Sequence, residues 1–209
     1  AGPWLACSGP QRGAPPDGPT TAAALVASLV RPRVQTLQGT ARLEAYVDGE
    51  RRSATLLVVL SRPKSLQFQA LTPTLDLVAL SSCDGERFVS YERGSDTCYV
   101  GKACPRNLAR VLPLPLPVQG LVAAVLGDVP LLAAPPEHNK LAWDDDKRLY
   151  RLDFGAPTAL WQQVYVDPVT RRVVGAVWFF ANDRLASLQY DGAAVGGLPK
   201  TLRTQEMTA

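Results

Sequence analysis

The chain has 209 residues, of which 46% are hydrophobic and 20% charged; this is an ordinary globular composition and excludes a wholly disordered chain, a collagen repeat or a coiled coil. A net charge of only +3, with no basic run longer than two residues, leaves no footprint for nucleic acid. The single histidine, His138, removes most hydrolytic triads and histidine metal sites, so the chain is read as a non-enzyme.

Residues 1–19 read as a stub ending at Cys7 followed by a Pro/Gly-rich tether, expected to be disordered. Ala6 and Cys7 resemble the end of a bacterial lipoprotein signal, in which a cysteine is cleaved at its amino side and acylated. Trp4 stands where leucine is usual, and the charged and long apolar parts of a signal are absent, so the chain is expected to begin inside one. An ordinary cysteine in a loose arm is the alternative.

Thr20-Thr21 caps an apolar helix that ends before Pro32. From Leu37 the apolar period becomes two: Leu37, Gly39, Ala41 and Leu43 alternate with polar residues as in a half-buried strand. Asp48-Gly49 turns the chain into Arg52 to Ser61, apolar on both parities at Leu56 to Leu60 and therefore expected to be covered on both faces. Strands follow at Leu66 to Ala70 and Leu75 to Ser82, then a hairpin of Glu86 to Glu92 with Asp96 to Gly101 after the Asp84-Gly85 turn.

That hairpin brings Cys83 and Cys104 toward one end, and a Cys83–Cys104 disulfide is the expected bridge. Cys98–Cys104 competes with it, and three reduced thiols are the third possibility. The cysteine spacing lacks the paired short gaps of a zinc site.

Pro105 opens a short apolar helix, Pro113, Pro115 and Pro117 force an extended link, and Val118 to Leu126 forms a further helix stopped by Gly127. Strands resume at about Leu141 to Trp143, Arg148 to Phe154, Leu160 to Val166, Arg172 to Phe180 and Leu185 to Tyr190, with the tail from Leu198 as a further candidate. Short connections throughout predict antiparallel neighbours. Residues 20–209 are thus read as one mainly β (α+β) domain, an incomplete antiparallel β-barrel of ten or eleven strands with helices across its concave face.

The segment LPLPLPVQGLVAAVLG, Leu112 to Gly127, resembles the middle of the bacterial LolA/LolB-type lipoprotein carriers and receptors. ALTPTLDLVALSSCDGERF (Ala70 to Phe88), WQQVYVDPVTRRVVGAVWF (Trp161 to Phe179) and the Gly-Gly-Leu-Pro at Gly196 to Pro199 are similar to flanking parts of those proteins. The resemblance implies a half-barrel lidded by helices whose apolar cavity holds lipoprotein acyl chains. It also implies a monomer without cofactor, working in the periplasm of a Gram-negative bacterium. Cys7 points to the members anchored in the outer membrane as receptors.

Strand parity and size nominate cavity residues: Leu43; Leu66 and Phe68; Leu77; Tyr150, Leu152 and Phe154; Val164; and Phe179. Leu108, Val111, Leu121 and Val125 are the matching helix positions. Packed core is the commoner role for any one of them. In the receptors an apolar residue on the loop after the third strand protrudes to aid delivery into the membrane. The matching loop here is Thr72-Pro73-Thr74-Leu75, with Leu75 as its tip, unless Leu75 begins the core face of the next strand. Asp144-Asp145-Asp146 reads as a turn rather than a cation site, and Trp143, Trp161 and Trp178 fit a sugar-stacking or membrane-flanking role and half-buried strand aromatics equally. The alternative function is a structural or interaction lipoprotein of the same fold, its interior filled by side chains.

Overall fold

A computed structural model describes residues 13, 15, 17–47, 50–95, 97–109, 114–193 and 198–206. Cys7 and Val111 lie outside the described residues.

The chain opens with α1 (Ala22–Ala27), capped by Thr21, whose Oγ1 accepts from the Ala24 N–H at 3.1 Å. The helix stops early, where the Ser28 hydroxyl turns back onto the Leu25 carbonyl ahead of Pro32. Six strands follow: β1 (Thr36–Val47), β2 (Glu50–Ser61), β3 (Ser65–Leu71), β4 (Leu77–Cys83), β5 (Arg87–Glu92) and β6 (Thr97–Lys102). They pair antiparallel, each with its chain neighbour, in one sheet. The β4–β5 turn is held by Asp84, whose Oδ1 accepts the Glu86 and Arg87 amides at 2.8 Å, with Gly85 at a φ of +98°.

Two helices then interrupt the strands. The short α2 (Pro105–Leu108) starts on its proline, and α3 (Val118–Val125) packs on β3. Gly127 ends α3 at φ +80°, and a Cβ there would come within 2.8 Å of Pro199 Cδ, so both backbone and space require glycine. The second sheet comprises β7 (Lys140–Asp144), β8 (Leu149–Phe154), β9 (Leu160–Val166), β10 (Val173–Phe180), β11 (Asp183–Ala193) and β12 (Pro199–Glu206), again in unbroken chain order. β12 is the candidate tail strand.

The architecture is therefore mainly β, an incomplete barrel of two antiparallel six-stranded sheets with few helices. β6 does not pair with β7, nor β1 with β12. The sheets share one core: Leu60, Leu66, Phe68 and Phe88 from the first meet Tyr150, Leu152, Val164, Trp178 and Leu188 from the second around the buried Leu121 and Val122 of α3. Two buried polar side chains join the layers. Tyr190 on β11 donates its hydroxyl to the Ala124 carbonyl at 2.5 Å, and Gln162 on β9 receives the Leu132 N–H at 2.8 Å and donates to the Pro130 carbonyl at 3.1 Å. Burial, with the Asp128 charge beside it, pushes the Tyr190 phenol far above its ordinary pKa, so it stays a neutral donor. Asp128, just past α3, pairs with Arg31 behind α1 at 2.6 Å and with Arg62 between β2 and β3 at 3.5 Å.

Ahead of α1, Gly18 packs so closely on the Tyr150 hydroxyl that it leaves no room for a Cβ. Two expectations are corrected. β2 is not covered on both faces: Leu60 and Val58 enter the core, but Val59 is 44% exposed on the outer face. The expected Cys83–Cys104 bridge is not formed. Cys83, Cys98 and Cys104 are free thiols, Cys83 turned into the core with its Sγ accepting the Gly85 N–H at 3.4 Å and Cys98 exposed on β6.

Candidate functional site

On the inner face of β1 the side chains are Leu37, Gly39, Ala41 and Leu43. Register places Gly39 opposite Val58 and Ala41 opposite Leu56 on β2, and Val58 in turn opposite Phe68 on β3. Gly39, Val58 and Phe68 thus form one cross-strand row in which the β1 position contributes no side chain. A Cβ built on Gly39 would meet no atom within 4 Å. Small residues on the edge strand therefore leave a hollow at the seam where the two sheets fail to join.

The hollow is a groove of about 590 Å³, within the ~300–1,000 Å³ of small-molecule sites. Leu37 and Gly39 to Leu43 of β1 and Leu198 to Leu202, including the start of β12, form its walls; Leu56, Val58, Phe68 and Val125 of α3 form its apolar floor. Charge is confined to the rim, at Arg42 and Lys200. Arg42 Nε lies 3.0 Å from Glu44, which also takes Arg51 at 2.6 Å, and the Arg51 hydrogen bond holds the Glu44 carboxyl below its ordinary pKa. Among the described residues, no charged side chain belongs to the floor, so the groove can remove hydrocarbon from water.

The structure divides the nominated cavity residues. Leu43, Phe68 and Val125 line the groove, Leu43 at its mouth and 37% exposed. Leu66, Leu108, Leu121, Tyr150, Leu152, Phe154 and Val164 are buried in the shared core away from it. Leu77 is half-buried at the start of β4, opposite Leu71. Phe179 sits on the outer face of β10, where a bulge follows Trp178, and stacks on Trp161 with ring centroids 4.2 Å apart. Leu37, Leu56, Val58 and Leu202 belong to the groove, though size and parity did not nominate them. The available signal was the pair of small inward residues, Gly39 and Ala41, on one strand.

Leu75 stands apart from the groove. It lies in the β3–β4 loop, 70% exposed, with the left-handed φ of +66° that a branched residue rarely adopts. The loop is tightly tied. Thr74 Oγ1 lies 2.8 Å from Thr72 Oγ1 and donates to Asp76 Oδ2 at 2.8 Å; Thr72 Oγ1 accepts the Asp76 N–H at 3.0 Å, and the Thr72 carbonyl accepts the Leu75 N–H at 2.9 Å. β4 begins only at Leu77. Asp144 closes the β7–β8 turn by accepting the Lys147 amide and ammonium, each at 2.9 Å, while Asp145 accepts the Trp143 indole N–H.

No family model and no curated protein matches the chain. Among solved structures, the chain is similar to the LolA superfamily protein NE2245 from Nitrosomonas europaea, with a TM-score of 0.54 at 10% identity over 91% of this chain and 87% of that one. It is likewise similar to a putative outer membrane lipoprotein-sorting protein domain from Vibrio parahaemolyticus, with a TM-score of 0.52 at 10% identity over 88% and 83%. These likenesses show a common fold: the chain is built as the LolA superfamily protein NE2245 is built.

Proposed function

We propose that this protein binds the acyl chains of lipoproteins in the seam groove and helps deliver them to the outer membrane, held at the periplasmic face by a lipid on Cys7. One observation carries the reading: the apolar groove that Gly39 and Ala41 keep open above Leu56, Val58 and Phe68. Hydrocarbon in water costs about 0.8 kcal/mol per CH₂, so a carrier needs a dry concave surface and no reactive group, cofactor or metal. The shared fold and the lipoprotein-sorting description of the Vibrio neighbour support the cargo class. Leu75, held outward by its loop, is the proposed membrane-touching tip. The chain acts as a monomer.

Burial elsewhere favours the second reading, an interaction module of the same fold, since Leu121, Leu152 and Val164 are packed side chains of the core rather than cavity wall. Titration of the whole chain with a fluorescent fatty-acyl probe separates the two. Gly39→Trp fills the hollow from an open position and is expected to weaken uptake about tenfold or more with the urea midpoint held. A wild-type chain that takes up no probe, or a variant that takes it up equally well, rules out the groove as the acyl site.

A further inference from the structure

We infer that the groove recognises an acylated peptide as a whole, the hydrocarbon lying on its floor and the adjoining extended polypeptide adding as a strand to the free edge of β1. The inference rests on the acyl-binding reading above and adds the second half of the ligand.

The Arg62 N–H donates to the Gln35 carbonyl at 2.8 Å, and Gln35 stands opposite Arg62 one step before the Thr36–Ser61 pair of the β1–β2 register. Gln35 and Arg62 are thus a hydrogen-bonded pair. Antiparallel alternation then assigns the ladder bonds to Leu37, Gly39, Ala41 and Leu43, and turns the N–H and C=O groups of Gln38, Thr40 and Arg42 away from β2. β1 ends its sheet, so those groups face the seam. Both parities of β1 from Gly39 to Leu43 line the groove, as they must if the strand presents its edge there as well as its inner face.

This edge is undefended. From Thr36 to Ala41 it carries no proline, no lysine and no register shift against β2, whereas β12 opposite opens with Pro199-Lys200. A row of free donors and acceptors at peptide spacing is complementary to an extended backbone and to little else. Its position beside an apolar floor selects a ligand with both parts, a fatty chain continuous with a peptide. β12 bounds the far side of the groove. An extended peptide brings one strand to that edge, whereas a second copy would bring its own sheet with it.

The test compares three probes on the whole protein: palmitate, a palmitoylated octapeptide of alternating Thr and Val, and the same octapeptide N-methylated at every amide. Expected are binding of the palmitoylated peptide about tenfold tighter than palmitate, and loss of that gain on N-methylation. Hydrogen exchange should show the Gln38, Thr40 and Arg42 amides newly protected by the peptide, with Ala41 and Leu43 already protected in the free protein. Thr40→Pro removes one edge donor at a position an edge strand tolerates, and should bring the affinity for the palmitoylated peptide down to that of the same variant for palmitate. If the N-methylated probe binds as tightly as its parent, the edge inference is overturned and acyl binding stands. If palmitate and both peptides fail to bind, the acyl reading falls and the inference with it. A concentration-dependent dimer abolished by Thr40→Pro also overturns it, by assigning the edge to a second copy.

Discussion

Gln162 shows how one side chain can hold an extended stretch of loop. Fully buried, it receives the Leu132 N–H and donates to the Pro130 carbonyl, and so satisfies two backbone groups of the crossing between α3 and β7. Gln162→Leu keeps the volume and orphans both groups, an expected loss of about 3 kcal/mol readable as a lowered urea midpoint. A midpoint unchanged within error would mean that the crossing relaxes onto water. Cys83 gives a second test at this scale. Burial raises its thiol pKa, so at pH 8.5 it carries less thiolate than an ordinary cysteine and is also screened from reagents. Iodoacetamide is expected to label exposed Cys98 in the folded protein and Cys83 only in denaturant; Cys83 labelled first would contradict its place in the core.

Among the elements, the β3–β4 loop combines an exposed leucine, a left-handed backbone and a set of hydrogen bonds among Thr72, Thr74, Leu75 and Asp76 that hold it there. A branched residue in that conformation costs about 1 kcal/mol, which glycine would avoid at the expense of a freer unfolded chain. Leu75→Gly should therefore leave the unfolding free energy from urea titration within about 1 kcal/mol of the parent while reducing flotation with phosphatidylethanolamine–phosphatidylglycerol vesicles. Full flotation of that variant removes the membrane role from Leu75. Most elements were legible in the sequence because their signals are local: the Asp84-Gly85 turn, the Thr21 cap, the Gly127 stop and the period-two strands each act over a few residues. The core-face alternative for Leu75 depended on where β4 starts, and the Thr72–Asp76 bonds delay that start to Leu77. Val59 misled because β-branched residues suit strands even on a face open to water.

For the molecule as a whole, chain-order pairing within each six-stranded sheet follows from short connections, and the half-barrel class with it. The groove was far less legible. Large inward residues such as Tyr150, Leu152 and Phe154 are what close packing consumes, so nominating by size finds the core. A hollow is made where atoms are missing, and Gly39 and Ala41 acquire meaning only once β1 is known to be an edge facing β12. The joint between the sheets was equally hidden, since it depends on α3, Tyr190 and the Asp128 ion pairs meeting across long sequence separations.

Of the described residues, the tryptophans are Trp143, Trp161 and Trp178, and all three lie in the second sheet. In the Trp4→Phe variant, intrinsic emission watches one half of the molecule melt, while far-ultraviolet circular dichroism watches both. Because α3 is wedged into a core common to the two halves, the optical curves should superimpose in a urea series. A dichroism change that precedes the emission change would reveal the β1–β6 half peeling away by itself, and with it a route by which a bulky guest gains admission.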